Sequence, residues 1–137
     1  MKIVIGIILC LFCNFVLADT YLQINGASLH SKPGYNQFNY GLGLEQTISD
    51  NWNVAGGWYR NSEYNGSAYA YGRYSFYRNG SWDLGVGVGV VTGYKVMPVL
   101  PMIFPEFCYS YLCAIALPQV EPAGASVLGL HLKIPIN

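Results

Sequence analysis

The chain has 137 residues, and its seven basic side chains are balanced by seven acidic ones. Only 10% of the residues are charged, against about 25% in an ordinary soluble domain, whereas 15% are aromatic and 16 are glycine. That length allows one domain. The balanced charge excludes a polyanion-binding field and hence nucleic acid as a partner, and the aromatic and β-branched content excludes a disordered segment.

In chain order, Met1 and Lys2 make a short positive start, residues 3–12 are continuously apolar, and Val16, Leu17 and Ala18 end the stretch. This pattern predicts a secretory signal, residues 1–18, cleaved after Ala18. Cys10 follows Leu9 and Cys13 follows Phe12, so neither cysteine has the small preceding residue that lipoprotein acylation requires. The remaining 19–137 are read as one domain. No later window holds the run of about 18 apolar residues that a transmembrane helix needs.

Instead the chain alternates. Over 82–90, Trp82, Leu84, Val86, Val88 and Val90 alternate with Asp83, Gly85, Gly87 and Gly89. Tyr40, Leu42 and Leu44 alternate with Gly41 and Gly43, and Leu128, Leu130, Leu132 and Ile134 with Gly129, His131 and Lys133. A period of two, apolar on one side and small or polar on the other, is a strand signature. The pattern predicts strands at 21–30, 38–47, 52–60, 67–77, 82–93, 100–108, 113–117 and 126–134. Most have the length of a tilted membrane-spanning strand. The connections at 48–51, 78–81 and 109–112 are short, and those at 31–37, 61–66, 94–99 and 118–125 are longer. Short turns on one side and long loops on the other is the asymmetry of a transmembrane barrel, in which every backbone group must be paired. The expected fold is therefore all-β: an eight-stranded antiparallel up-and-down transmembrane β-barrel, expected in the outer membrane as a monomer, with both termini on the periplasmic side. A soluble ligand-holding barrel would need a charged outer face, and neither face supplies one.

Arg73, Glu45 and His131 are expected to point into the lumen, the first two paired there, because a basic charge on the lipid face is costly. Trp52, Trp58, Trp82 and the tyrosines suit interface girdles. Cys108 and Cys113, the only cysteines beyond the signal, flank the turn at 109–112. Directly opposed residues of a hairpin lie about 4.5 or 5.5 Å apart, within disulfide reach, and an oxidising compartment favours the bridge. The histidines and these cysteines lack zinc spacing, and no nucleotide fingerprint is present, so no cofactor or metal is expected. Pro98, Pro101 and Pro105 lie along or beside the sixth strand and Pro118 ends the seventh. Each removes an N–H from the sheet, which weakens that pairing towards the loop side.

His30 ends the first strand, and Asn61 and Ser62 follow the third, so all three reach one rim. A histidine near a serine hydroxyl is equipped to act as its general base.

Several stretches together resemble the lipid A palmitoyltransferase family of small eight-stranded outer-membrane barrels. They are Leu29-His30 with Tyr35-Asn36, the run Tyr40-Gly41-Leu42-Gly43-Leu44, Arg60-Asn61-Ser62, Leu84-Gly85-Val86-Gly87 leading to Val91-Thr92-Gly93, and Pro98-Val99-Leu100-Pro101. The resemblance spans about 21–133. It implies transfer of an acyl chain from a phospholipid to lipid A, with His30 and Ser62 at the positions of the family's rim histidine and serine. Asn61 stands where the family has an aspartate, and Glu63 is the adjacent carboxylate. The family admits its acyl chain through proline-flanked gaps, which gives Pro105 and Pro118 a role as a lateral gate. The alternative is a barrel of the same shape without catalysis, acting in lipid binding, structure or interaction.

Overall fold

A computed structural model describes residues 19–118 and 125–136. The signal expected at 1–18 and most of the loop expected at 118–125 lie outside the described residues. Eight strands follow in order: β1 (Thr20–His30), β2 (Phe38–Thr47), β3 (Trp52–Arg60), β4 (Gly66–Asn79), β5 (Trp82–Thr92), β6 (Val99–Tyr109), β7 (Leu112–Leu117) and β8 (Val127–Pro135). Each pairs antiparallel with its chain neighbours, and β8 pairs back onto β1, so the sheet closes into an up-and-down barrel.

The largest departure from the sequence map is β4, which runs on to Asn79. A bulge between Ser75 and Tyr77 shifts its register against β5 and lets the hairpin tighten to a turn at Gly80 and Ser81. Gly80 has a φ of 57°, a left-handed conformation that glycine adopts without steric cost. The β6–β7 turn contracts in the same way to Ser110, φ 54°, and Tyr111.

The alternation places the faces as expected. Leu42, Leu44, Val88, Val90, Ile103 and Leu128 are exposed on the outside. Gly85, Gly87 and Val91 of β5 are turned inward and buried. The turn-end half of the lumen is filled by charge. Glu106 is ion-paired to Arg73 and to Lys133 Nζ at 2.7 Å, and its carboxylate lies 3.0 Å from His131 Nε2. Arg73 also meets Asp83 at 3.0 Å, and Lys133 meets Glu45 at 3.0 Å. Glu45 accepts from Asn53 at 2.6 Å and from Gln23 at 2.8 Å. Arg73, Glu45 and His131 thus point inward and are paired, although Arg73 and Glu45 pair through third parties rather than with each other. A buried charge must be paired to be tolerated, and here every strand but β7 contributes a polar side chain to the cluster.

Cys108 and Cys113 are opposed across the β6–β7 hairpin and joined in a disulfide, with Cα atoms 4.1 Å apart. That bridge ties in β7.

Candidate functional site

Above the charged cluster the lumen changes character. Tyr71 and Phe104 meet edge to face at 5.1 Å and floor a cavity of about 120 Å³. A methyl group at Gly87 would overlap the Phe104 ring, so the ring takes this place only because glycine stands opposite. A second cavity of about 170 Å³ opens towards the loops. The two meet at a neck. It is lined by the polar groups of His30, Tyr59, Ser62 and Tyr94 and by the apolar side chains of Met102, Leu117 and Val127, the last paired directly with His30. The neck is therefore polar towards β1 and β3 and apolar towards β6–β8.

The apolar side coincides with a weak seam. β5 pairs with β6 without interruption from Trp82↔Tyr109 to Thr92↔Val99. β6 pairs with β7 only from Tyr109↔Leu112 to Glu106↔Ile115, and the stretch from Val99 to Pro105 has no partner in β7. Pro101 and Pro105 have the same parity in the strand, so their missing donors fall on one edge. The complete pairing with β5 puts that edge towards β7. Outside this seam lies an apolar groove of about 800 Å³ lined by Leu29, Ile103, Pro105, Pro118 and Leu128 among others. His30, Leu117 and Val127 line the groove, the vestibule and the inner cavity alike.

His30 and Ser62 are thus brought to one neck. The His30 ring stacks on Tyr35 at 4.9 Å, and neither ring nitrogen has a hydrogen-bond partner among the described residues. Ser62 is held through its backbone, its carbonyl accepting from Asn36 N at 2.9 Å. Asn61 is placed differently. It is fully buried and its amide is completely occupied. Nδ2 donates to Ser67 Oγ at 2.9 Å and to Gly93 O at 2.8 Å, while Oδ1 accepts from Glu63 N at 2.9 Å and Asn65 N at 3.0 Å. It organises the β3–β4 loop and fastens it to the end of β5. Glu63 reaches the vestibule, where its carboxylate accepts from Lys95 N at 3.0 Å.

Among the described residues, Glu106, Cys113 and His131 bring metal-type ligand atoms within 4.8 Å of one another. Cys113 has no thiolate to offer because it is in the disulfide, and Glu106 and His131 already face each other. The sequence reading missed Tyr59, Tyr94, Tyr71 and Phe104. The first could have been found from parity, since Gly57, Tyr59 and Asn61 share the inward phase with Asn53 and Ala55. Tyr94 sits on a loop, where parity says nothing.

The fold and site define the class: a closed β-barrel with a charged turn end, an internal cavity and a half-paired seam leading to it. Compared with known families and curated proteins, the chain matches no family model and no curated sequence.

Proposed function

We propose that this protein is an outer-membrane acyltransferase of the lipid A palmitoyltransferase type, moving an acyl chain from a phospholipid to lipid A. The observation that carries the reading is the seam: an apolar outer groove leads through the unpaired half of β6–β7 to a neck where His30 and Ser62 stand. The outer face supports the membrane location. It is apolar at mid-height and carries aromatic groups near both ends, Phe38, Tyr40 and Trp58 towards the loops and Trp52, Tyr74, Trp82 and Tyr109 towards the turns, the arrangement expected of a membrane barrel. Apart from the seam, closure lets a single copy pair its own strand edges, which supports a monomer.

In this reading the acyl chain lies in the lumen above Phe104 with its ester at the neck. His30 removes the proton from the attacking hydroxyl, whose oxygen bonds to the acyl carbon. The ester bond to the phospholipid glycerol breaks, and the departing alkoxide takes the proton back from His30. Ser62 either aligns the acceptor's hydroxyl for direct transfer or attacks first; in the second case a lipid A hydroxyl, deprotonated in turn by His30, takes the acyl group from the acyl-serine and the serine oxygen recovers the proton.

A second reading is favoured by Asn61, whose amide has no capacity left for His30, and by the absence, among the described residues, of a carboxylate on the His30 ring. It is a lipid-binding barrel of the same architecture without catalysis. Mass spectrometry of lipid A from a Gram-negative host with and without the protein separates the two. Gain of one palmitate-sized mass is expected, and an unchanged profile with folded barrel in the membrane would overturn the enzyme.

A further inference from the structure

The neck contains a polar pair to which neither the sequence motifs nor the proposed chemistry gives a role. Tyr59, at the inward-facing end of β3, and Tyr94, just beyond β5, place their phenol oxygens 2.8 Å apart. Both side chains line the inner cavity and the vestibule, as His30 and Ser62 do. We propose that the Tyr59–Tyr94 pair is a hydrogen-bond donor site for the carbonyl oxygen of an acyl ester seated in the neck. The proposal rests on the reading that an acyl lipid occupies this cavity.

The argument starts from a proton count. Each phenol carries one O–H. Tyr59 also lies within hydrogen-bonding reach of Ser67, so the free O–H is that of Tyr94, in the arrangement where Tyr59 donates to the Tyr94 oxygen. A phenol O–H is a hydrogen-bond donor, so the pair offers a proton to an acceptor. What faces it decides the ligand. The apolar part of the neck is Met102, Leu117 and Val127, which offer an alkyl chain nothing but contact. A lipid entering from the seam therefore presents its chain to the apolar side and its first polar atoms to the tyrosines. In an acyl lipid the acceptor nearest the chain is the ester carbonyl. A donor aimed at that oxygen in a site walled by apolar groups is strengthened by the low dielectric and stabilises the negative charge that develops there during acyl transfer.

The pair is also built into the scaffold. The Tyr59 ring packs against Tyr69 at 5.9 Å. Tyr94 follows Gly93, whose φ of 86° turns the chain inward over Gly66 and Ser67. The Gly93 carbonyl is the one that Asn61 Nδ2 holds at 2.8 Å. Asn61 thus fixes Ser62, its neighbour in sequence, and Tyr94, through Gly93, relative to each other. That gives the amide a positioning role where a carboxylate would repel the carbonyl.

The test compares two probes on the folded barrel in detergent micelles: a diacyl phosphatidylcholine and the dialkyl ether lipid of the same chain length, which lacks the carbonyls. Binding is followed by native mass spectrometry. The wild-type protein should prefer the ester by about fivefold, the value of one ordinary hydrogen bond. Tyr59→Phe with Tyr94→Phe should bind both lipids at the wild-type ether level, and Tyr94→Phe alone should lose most of the preference. A pair that merely ties the loop to the wall would alter the affinity for both probes together and leave their ratio alone. Equal binding of the two lipids by the wild type, a preference retained in the double variant, or binding of neither lipid would overturn the donor site. The acyltransferase reading is judged separately on lipid A. Unchanged lipid A with an ester preference that the phenylalanines abolish sinks the enzyme and keeps the site. Full transfer by the double variant with its preference intact does the reverse.

Discussion

Asn61 shows how a residue at a motif position acquires a different part from the one its neighbours suggest. Alignment by resemblance puts it where an acidic partner for His30 is expected, and on sequence alone Asn61→Asp should raise activity. The geometry reverses that expectation. Nδ2 donates at once to Ser67 Oγ and to a backbone carbonyl in a fully buried position, and a carboxylate there would face the Gly93 oxygen with no proton to share. Asn61→Asp should cost at least about 1–3 kcal/mol, read as a lower unfolding temperature in micelles, and should lower any lipid-dependent rate. His30→Ala and Ser62→Ala, by contrast, remove groups that line an open cavity. Each should abolish acyl transfer while leaving the unfolding temperature within a few degrees of wild type. An active protein carrying both alanines would place the chemistry elsewhere.

At the scale of the strands, β6 and β7 behave unlike every other neighbouring pair. Their hairpin is joined at the turn by Cys108–Cys113 and, among the described residues, is unpaired from Pro105 outward. The bridge and the prolines act at opposite ends of one interface, so the open half does not unzip the closed half. Changing Cys108 and Cys113 together to Ser should destabilise the barrel by about 2 kcal/mol, the chain-entropy value for so short a loop. Loss of the gel-mobility difference between heated and unheated protein at a lower temperature would report it, and an unchanged transition would show that the ladder alone holds the seam. Pro105→Val with Pro118→Val restores donors along the gap. If the seam is the route by which lipid enters, the double variant should stay folded and slow lipid-dependent turnover. Unaltered turnover would remove the gate.

For the molecule as a whole, the lumen is divided. The loop-end half holds the cavity and the neck, and the turn-end half is crossed by the ion-paired cluster around Glu106. A cluster that draws on nearly every strand is a transverse tie as well as a plug. Glu106→Ala leaves Arg73 and Lys133 buried without their shared partner, and removing one member of a buried pair costs about 3–5 kcal/mol. Chemical unfolding of the refolded variant should show that loss, and a change under 1 kcal/mol would mean that solvent already reaches the cluster. The plug also predicts that the wild-type barrel inserted in a planar bilayer carries no steady ion current. Open-channel steps would contradict the packing at Glu106.

Much of the barrel was legible in the sequence because a period of two has a single physical outcome. Once Leu42, Val88 and Leu130 lie on one face, Gly43, Gly87 and His131 must lie on the other, and the short turns set neighbours side by side. The Cys108–Cys113 bridge was legible for the same reason, since a hairpin turn between two cysteines opposes them. The rim position of His30 and Ser62 followed from strand ends alone. What the sequence did not contain was which lumenal groups meet across the barrel, because inward side chains from strands far apart in the chain approach one another only after closure. So the partners of Arg73 had to wait for the tertiary structure, as did the occupied amide of Asn61. The Tyr59–Tyr94 contact needed it most, since it joins a strand to a loop and only the path of the backbone after Gly93 brings the two phenols together.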